Sequence, residues 1–248
     1  MRFRTIILFP VFLTIIVSGG EIHAQNSMTV TGDFLMGMST MAGEEFSGID
    51  VDPAPVVGSS ALIIYERVVF GGSLHFGSFQ WNYDDFDQFH TTRRSDFTIQ
   101  AGYAMSSNLY LYAAAKEMRF TGNKDNFQLQ NPLEPPFQAA YAVNYQGMLL
   151  GGGIAALMQF PDSPFFLKWS AAYLTGDLEL NKSADDIELE GFPRDISTTL
   201  TDIFIGLGYR LESGLGLIIG YKAAFAGEKQ GEERIHGVMT SLFYDFGI

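Results

Sequence analysis

Cysteine is absent from the 248 residues, which excludes a disulfide framework, a thiolate metal site, a cysteine nucleophile and a lipidated cysteine. Cations are scarce. Against 28 Asp and Glu there are only 15 Lys and Arg, a net charge of −13, which argues against nucleic acid or any other partner held by phosphate contacts. Past the first residues no run of 18 consecutive apolar side chains occurs, so no helix is expected to cross a bilayer. Glycine and aromatic residues are abundant instead. The 27 Gly, 22 Phe and 11 Tyr exceed the usage of ordinary globular domains, and small residues and rings in one chain call for a common explanation.

Residues 1–24 have the layout of a secretory signal peptide. Arg2 and Arg4 form a basic start, Ile6 to Val17 an apolar run broken only by Pro10 and Thr14, and Ser18 to Ala24 a small, polar tail. The run is about 12 residues, short of the roughly 20 that a spanning helix needs. Cleavage is expected near Ala24, leaving a mature chain from Gln25 with 13 basic and 27 acidic residues, a net charge of about −14.

After Gln25 the dominant signal is alternation. In Phe97-Thr98-Ile99-Gln100-Ala101-Gly102-Tyr103 the odd positions are apolar or aromatic and the even ones polar or small. A period of two means a strand with two different surroundings. Thr201 to Arg210 repeats the split, with Ile203, Ile205, Leu207 and Tyr209 on one face, and so does Leu215 to Phe225. Ten strands are expected, near 27–38, 59–66, 69–81, 95–105, 109–120, 142–158, 165–178, 198–211, 215–226 and 234–247, with eight or twelve as alternative counts. The connections alternate between long, polar segments and short turns such as Ser106-Ser107-Asn108 and Glu212-Ser213-Gly214. Long strands in a meander, with short turns at one end and long loops at the other, predict a membrane-spanning antiparallel up-and-down β-barrel over residues 25–248. In hydrocarbon an unpaired backbone group costs several kcal/mol, so the first strand must pair with the last. The glycines Gly71, Gly102, Gly206, Gly208, Gly216 and Gly220 fall on the inner face, where a narrow barrel has least room. The competing fold is a soluble lipocalin-like barrel, with its apolar face turned inward.

The chain closes on Leu242-Phe243-Tyr244-Asp245-Phe246-Gly247-Ile248, with Tyr244, Phe246 and Ile248 on one face. This resembles the C-terminal signal of bacterial outer-membrane proteins, although Ile248 stands where those signals usually end in an aromatic residue. Leader, alternation and terminal strand together resemble the small outer-membrane barrels of the OmpA, OmpX and opacity type over residues 25–248, with no motif selecting one family. The resemblance implies a Gram-negative cell outer membrane as the location. It also implies membrane lipid and lipopolysaccharide as surroundings, the barrel-assembly machinery as a partner during biogenesis, and a monomer. No further domain is expected after residue 248.

Extending the alternation assigns Asp33, Glu66, His75, Asp96, Lys116, Lys168, Asp202, Arg210, Lys222 and Asp245 to the inner face, because Arg or Lys facing lipid near the midplane would cost roughly 2–4 kcal/mol. These residues either fill the lumen as a salt-bridged network, leaving a structural or surface-interaction protein, or line a narrow porin-like channel for small solutes or ions with Lys116, Lys168 and Lys222 as its cations. A hydrolase with an active site at the rim is the third alternative. His75 shares its face with Ser73 and Gly77, and His90 lies in a segment with Asp84, Asp85 and Asp87, but neither spacing forms a recognisable catalytic set, so no enzymatic activity is expected. Gly151-Gly152-Gly153 lacks the Lys-Ser/Thr ending of a phosphate loop. No cofactor and no committed metal site are expected. The acidic stretches Glu44, Glu45, Asp50 and Asp52, then Asp84, Asp85 and Asp87, then Asp185, Asp186, Glu188 and Glu190, are read as solvated loops. They are also candidates for divalent cations or an extracellular partner.

Overall fold

The computed structural model describes residues 28–42, 49–83, 88–129, 137–184, 187–188, 191, 193–228 and 231–247. The leader expected over residues 1–24 lies outside them. Every regular element among the described residues is a strand: β1 (Met28–Ala42), β2 (Ile49–Asp52), β3 (Ala54–Tyr65), β4 (Val68–Tyr83), β5 (Gln88–Ser106), β6 (Leu109–Leu129), β7 (Phe137–Gln159), β8 (Phe165–Ala184), β9 (Ile187–Glu188), β10 (Arg194–Arg210), β11 (Leu215–Glu228) and β12 (Gly231–Gly247). Ten of them close into an antiparallel ring, because β1 pairs with β3 on one side and with β12 on the other. The two remaining strands extend this ring at its long-loop end. Pro53 has no N–H to give to a ladder and separates β2 from β3, while β2 continues the same line against residues 80–83 of β4. Strand β9 folds back on Ser183 and Ala184 of β8.

The register fixes the barrel's dimensions. Stepping from Met28 to its partner Tyr65, then Val68, Tyr103, Leu111, Ile154, Ala171, Ile203, Ala223 and His236, leads back to Thr40, twelve residues along β1 from the start. Ten strands with that stagger must tilt by about 40° and enclose a cylinder of roughly 10 Å backbone radius. Such a cylinder is narrow enough for side chains from opposite walls to meet.

The outward face is the apolar one. Phe34, Met36 and Met38 of β1, Phe70, Leu74 and Phe76 of β4, Ile203, Ile205 and Leu207 of β10, and Leu217 and Ile219 of β11 are all exposed. At the short-turn end the belt is bounded by Tyr65, Tyr103, Tyr209 and Tyr244. Arg67 sends its guanidinium to the Tyr103 hydroxyl at 3.2 Å, an aromatic and cationic pair suited to an interface. At the other end the first outward charges appear. Arg119 pairs with Glu117 at 2.7 Å and is 56% exposed, and Ser197 donates to Asp177 at 2.6 Å. Along β8 the uncharged outward run from Phe165 to Thr175 spans ten residue steps, or about 25 Å at that tilt, the height of an outer-membrane apolar band.

The strands run further than the alternation implied. β6 and β7 hold 21 and 23 residues, against the roughly 9–11 that span a bilayer. The extra length lies at the long-loop end, where backbone pairing continues after the apolar alternation has stopped.

Candidate functional site: the barrel lumen

Ring-over-glycine packing shapes the inner wall. A Cβ built on Gly208 or Gly216 would enter the ring of Phe166 or Phe243, one on Gly206 or Gly220 would meet Phe204, and one on Gly153 would meet Tyr112. Each ring occupies the space that a side chain on the glycine would need, so at these positions the two enriched residue types are one packing device. Gly208→Ala is expected to cost about 1–3 kcal/mol through overpacking against the fully buried Phe166, read as a lower urea midpoint. Phe166→Leu in the same chain should recover part of that loss.

Three layers cross the lumen. At the short-turn end Phe166 and Phe243 meet edge to face with centroids 5.6 Å apart, and Ile218 is buried beside them. The Arg210 guanidinium lies 5.5 Å and 5.8 Å from these two rings and pairs with Asp245 at 3.0 Å. Asp245 also accepts a hydrogen bond from Thr31 at 2.6 Å, which ties the layer across the seam where the barrel closes. Toward the long loops an apolar layer of Met118, Phe120, Leu149, Leu174, Leu178, Leu200 and Ile235 fills the interior.

Between them runs a chain of charges. Arg94 Nε donates to Asp96 at 2.9 Å, Lys116 reaches Asp96 at 3.1 Å and Asp202 at 3.3 Å, and Lys222 reaches Asp202 at 3.4 Å. Asp96 and Lys116 are each 3% exposed. The Lys116–Asp202 contact joins β6 to β10, which are separated on the wall by β7 and β8, so the bond passes across the lumen. The Arg94 guanidinium is further held 5.3 Å from the Phe120 ring, where the charged and apolar layers meet. A cavity of about 220 Å³ adjoins this chain, and Asp33, His75, Lys116, Lys168, Asp202 and Lys222 are part of its wall.

Of the ten residues assigned to the inner face, those six line the cavity, Asp96 belongs to the charge chain, and Arg210 and Asp245 form the ion pair at the short-turn end. Glu66 is a correction. Tyr65 pairs with Val68, so Glu66 and Arg67 form the hairpin turn, and Glu66 is exposed there at a φ of 53°. The turn expected at 67–68 lies one residue earlier, and that shift takes Glu66 out of the lumen. Arg94 was not among the expected residues, because β5 was expected to begin at 95. Its position two before Asp96 on the same face was the available signal.

Ser73, with His75, lines the cavity. The backbone of β5 includes His90, whereas residues 84–87 lie outside the described residues, as do Glu44, Glu45, Asp185, Asp186 and Glu190. Asp50, Asp52 and Glu188 are placed by backbone alone. Among the described residues no group of three His, Asp or Glu could hold a metal ion.

No family model matches the sequence, and no curated protein matches it. Among solved structures the chain is similar to the translocator domain of the autotransporter NalP from Neisseria meningitidis, with a TM-score of 0.51 and 13% identity over 90% of this chain and 90% of that one. It is also similar to the beta domain of the Bordetella autotransporter BrkA, with a TM-score of 0.45 and 12% identity over 89% of this chain and 100% of that one. The toluene transporter TbuX of Ralstonia pickettii gives a TM-score of 0.41 and 10% identity over 87% of this chain and 90% of that one. The first of these likenesses is a likeness of fold, and with the register it makes the chain a closed barrel of ten antiparallel strands of the outer-membrane type.

Proposed function

We propose that this protein is an integral outer-membrane barrel whose lumen is closed and which acts through its long-loop surface, in a structural or surface-interaction role. The Lys116–Asp202 bond carries this reading, because it spans the lumen between strands three places apart on the wall, in the middle of a three-layer filling. A solute crossing the barrel would have to break desolvated ion pairs, and each charge left unpaired in that setting is costly. Lipopolysaccharide and membrane lipid contact the belt, the barrel-assembly machinery inserts the chain, and the acidic loops face a partner outside the cell. The reading includes no enzymatic step.

A narrow channel is the second reading, favoured by the cavity beside the charge chain, whose wall includes Lys116, Lys168 and Lys222. Single-channel recording from refolded protein in a planar bilayer separates the two. Closure predicts a flat baseline after insertion has been verified. Discrete, reproducible current steps whose ion selectivity changes on neutralising Lys116, Lys168 and Lys222 would overturn it.

A further inference from the structure

The cavity is built with donors that its own wall does not satisfy. Five charged residues face it: Asp33, Lys116, Lys168, Asp202 and Lys222. Asp33 is occupied by Ser60, accepting from the backbone N–H at 3.0 Å and from the hydroxyl at 2.7 Å. Lys116 and Lys222 are both bound to Asp202. Lys168 has neither an ion-pair nor a hydrogen-bond partner among the described residues. Two further groups on the same wall are buried without a protein partner, the Ser241 hydroxyl, in a residue only 5% exposed, and His75 Nδ1. Lys168 is part-buried, an ammonium without a carboxylate partner attracts an anion, and a buried hydroxyl without a bond is a standing cost.

We propose that the cavity is a binding site for a small oxyanion, with the Lys168 ammonium as its counter-charge and the Ser241 hydroxyl as a donor. The chemistry required is a compact group carrying negative charge on several oxygens, as in inorganic phosphate or a short carboxylate. A volume of about 220 Å³ admits such compact ions. On its short-turn side the cavity wall includes Thr31, which donates to Asp245 in the layer that Arg210 secures. This site goes beyond the closed-lumen reading and stands apart from it, since binding is measured without current and a conducting barrel could also hold it.

The test is calorimetric titration of the refolded protein in detergent micelles at constant ionic strength, with sodium phosphate in one arm and sodium acetate in the other. Saturable binding of at least one anion is expected, with affinity at least tenfold weaker in Lys168→Met and unchanged in Arg119→Gln, whose side chain faces outward. Comparing the two arms identifies the preferred anion. Ser241→Ala removes only a hydroxyl without a protein partner and is expected to weaken binding several-fold, which keeps the test decisive if Lys168→Met fails to show the heat-modifiable migration of a folded barrel. Absence of saturable heat in both arms, or wild-type affinity in the Lys168 and Ser241 variants, would overturn the proposal.

Discussion

Asp96→Leu is expected to lower the stability of the folded barrel by about 3–5 kcal/mol, the cost of removing one partner from a buried ion pair. Asp96 is the acid between Arg94 and Lys116, and neither it nor Lys116 has appreciable contact with solvent. Removing it leaves Lys116 to share Asp202 with Lys222, two cations on one carboxylate. The loss is due less to the missing attraction than to the uncompensated charge left behind. Asp96→Leu combined with Lys116→Met should therefore be more stable than Asp96→Leu alone, with a coupling of about 0.5–3 kcal/mol between the two sites. Urea unfolding followed by the mobility of unboiled samples measures both. A single variant with wild-type stability would show that the charge chain does not hold the walls together.

The second large effect is on the outer face. Ile205 is 51% exposed, lies near the middle of the apolar belt, and faces the same way as its register partners Tyr221 and Trp169. Ile205→Arg is expected to cost about 2–4 kcal/mol in phosphatidylcholine vesicles, because a guanidinium at that depth must leave water or distort the bilayer. Ser197→Arg, on the same face of β10 but beside Asp177 where the belt ends, is expected to cost only about 0–1 kcal/mol. That depth dependence is specific to a face in lipid. Equal costs at the two positions would return the chain to the soluble-barrel alternative.

Which strands form, and which way their side chains face, could be read from the sequence wherever the two surroundings differ. The segment around Phe97 to Tyr103 and the one from Ile203 to Tyr209 alternate because lipid lies on one side and a narrow lumen on the other. Where the apolar belt ends, that signal fades. Beyond Glu117 and Asp177 the pattern inverts, with Met118, Phe120, Leu178 and Leu180 inward and charged residues outward, so the long-loop ends of β6, β7 and β8 and the start of β5 at Gln88 no longer carried the apolar-outward period, and Arg94 was lost with them. In the lumen the difficulty is the reverse. Phe166, Phe243 and Leu149 face inward and are apolar, so the strands that carry them are apolar on both faces at those heights. The charged residues could be assigned to the lumen one by one, but their pairing could not. The bond between Lys116 and Asp202 depends on the stagger that brings the two residues to one height on strands three places apart, a property of the closed ring and not of either strand.

The seam between β1 and β12 also bears on the order of events during assembly. Thr29 lies beside Gly247 and Ala42 beside Arg234, so the first strand to be made takes one of its two neighbours from the last. Loop-closure entropy is greatest for contacts so distant in the chain, and rewards for such contacts arrive late, which makes folding slow and nearly all-or-none. Until β12 arrives, a growing sheet has two open edges, each able to recruit a strand from any neighbouring chain. A protein of this design therefore needs a chaperone for its edges more than for its core, and its most vulnerable moment falls just before the last hairpin docks.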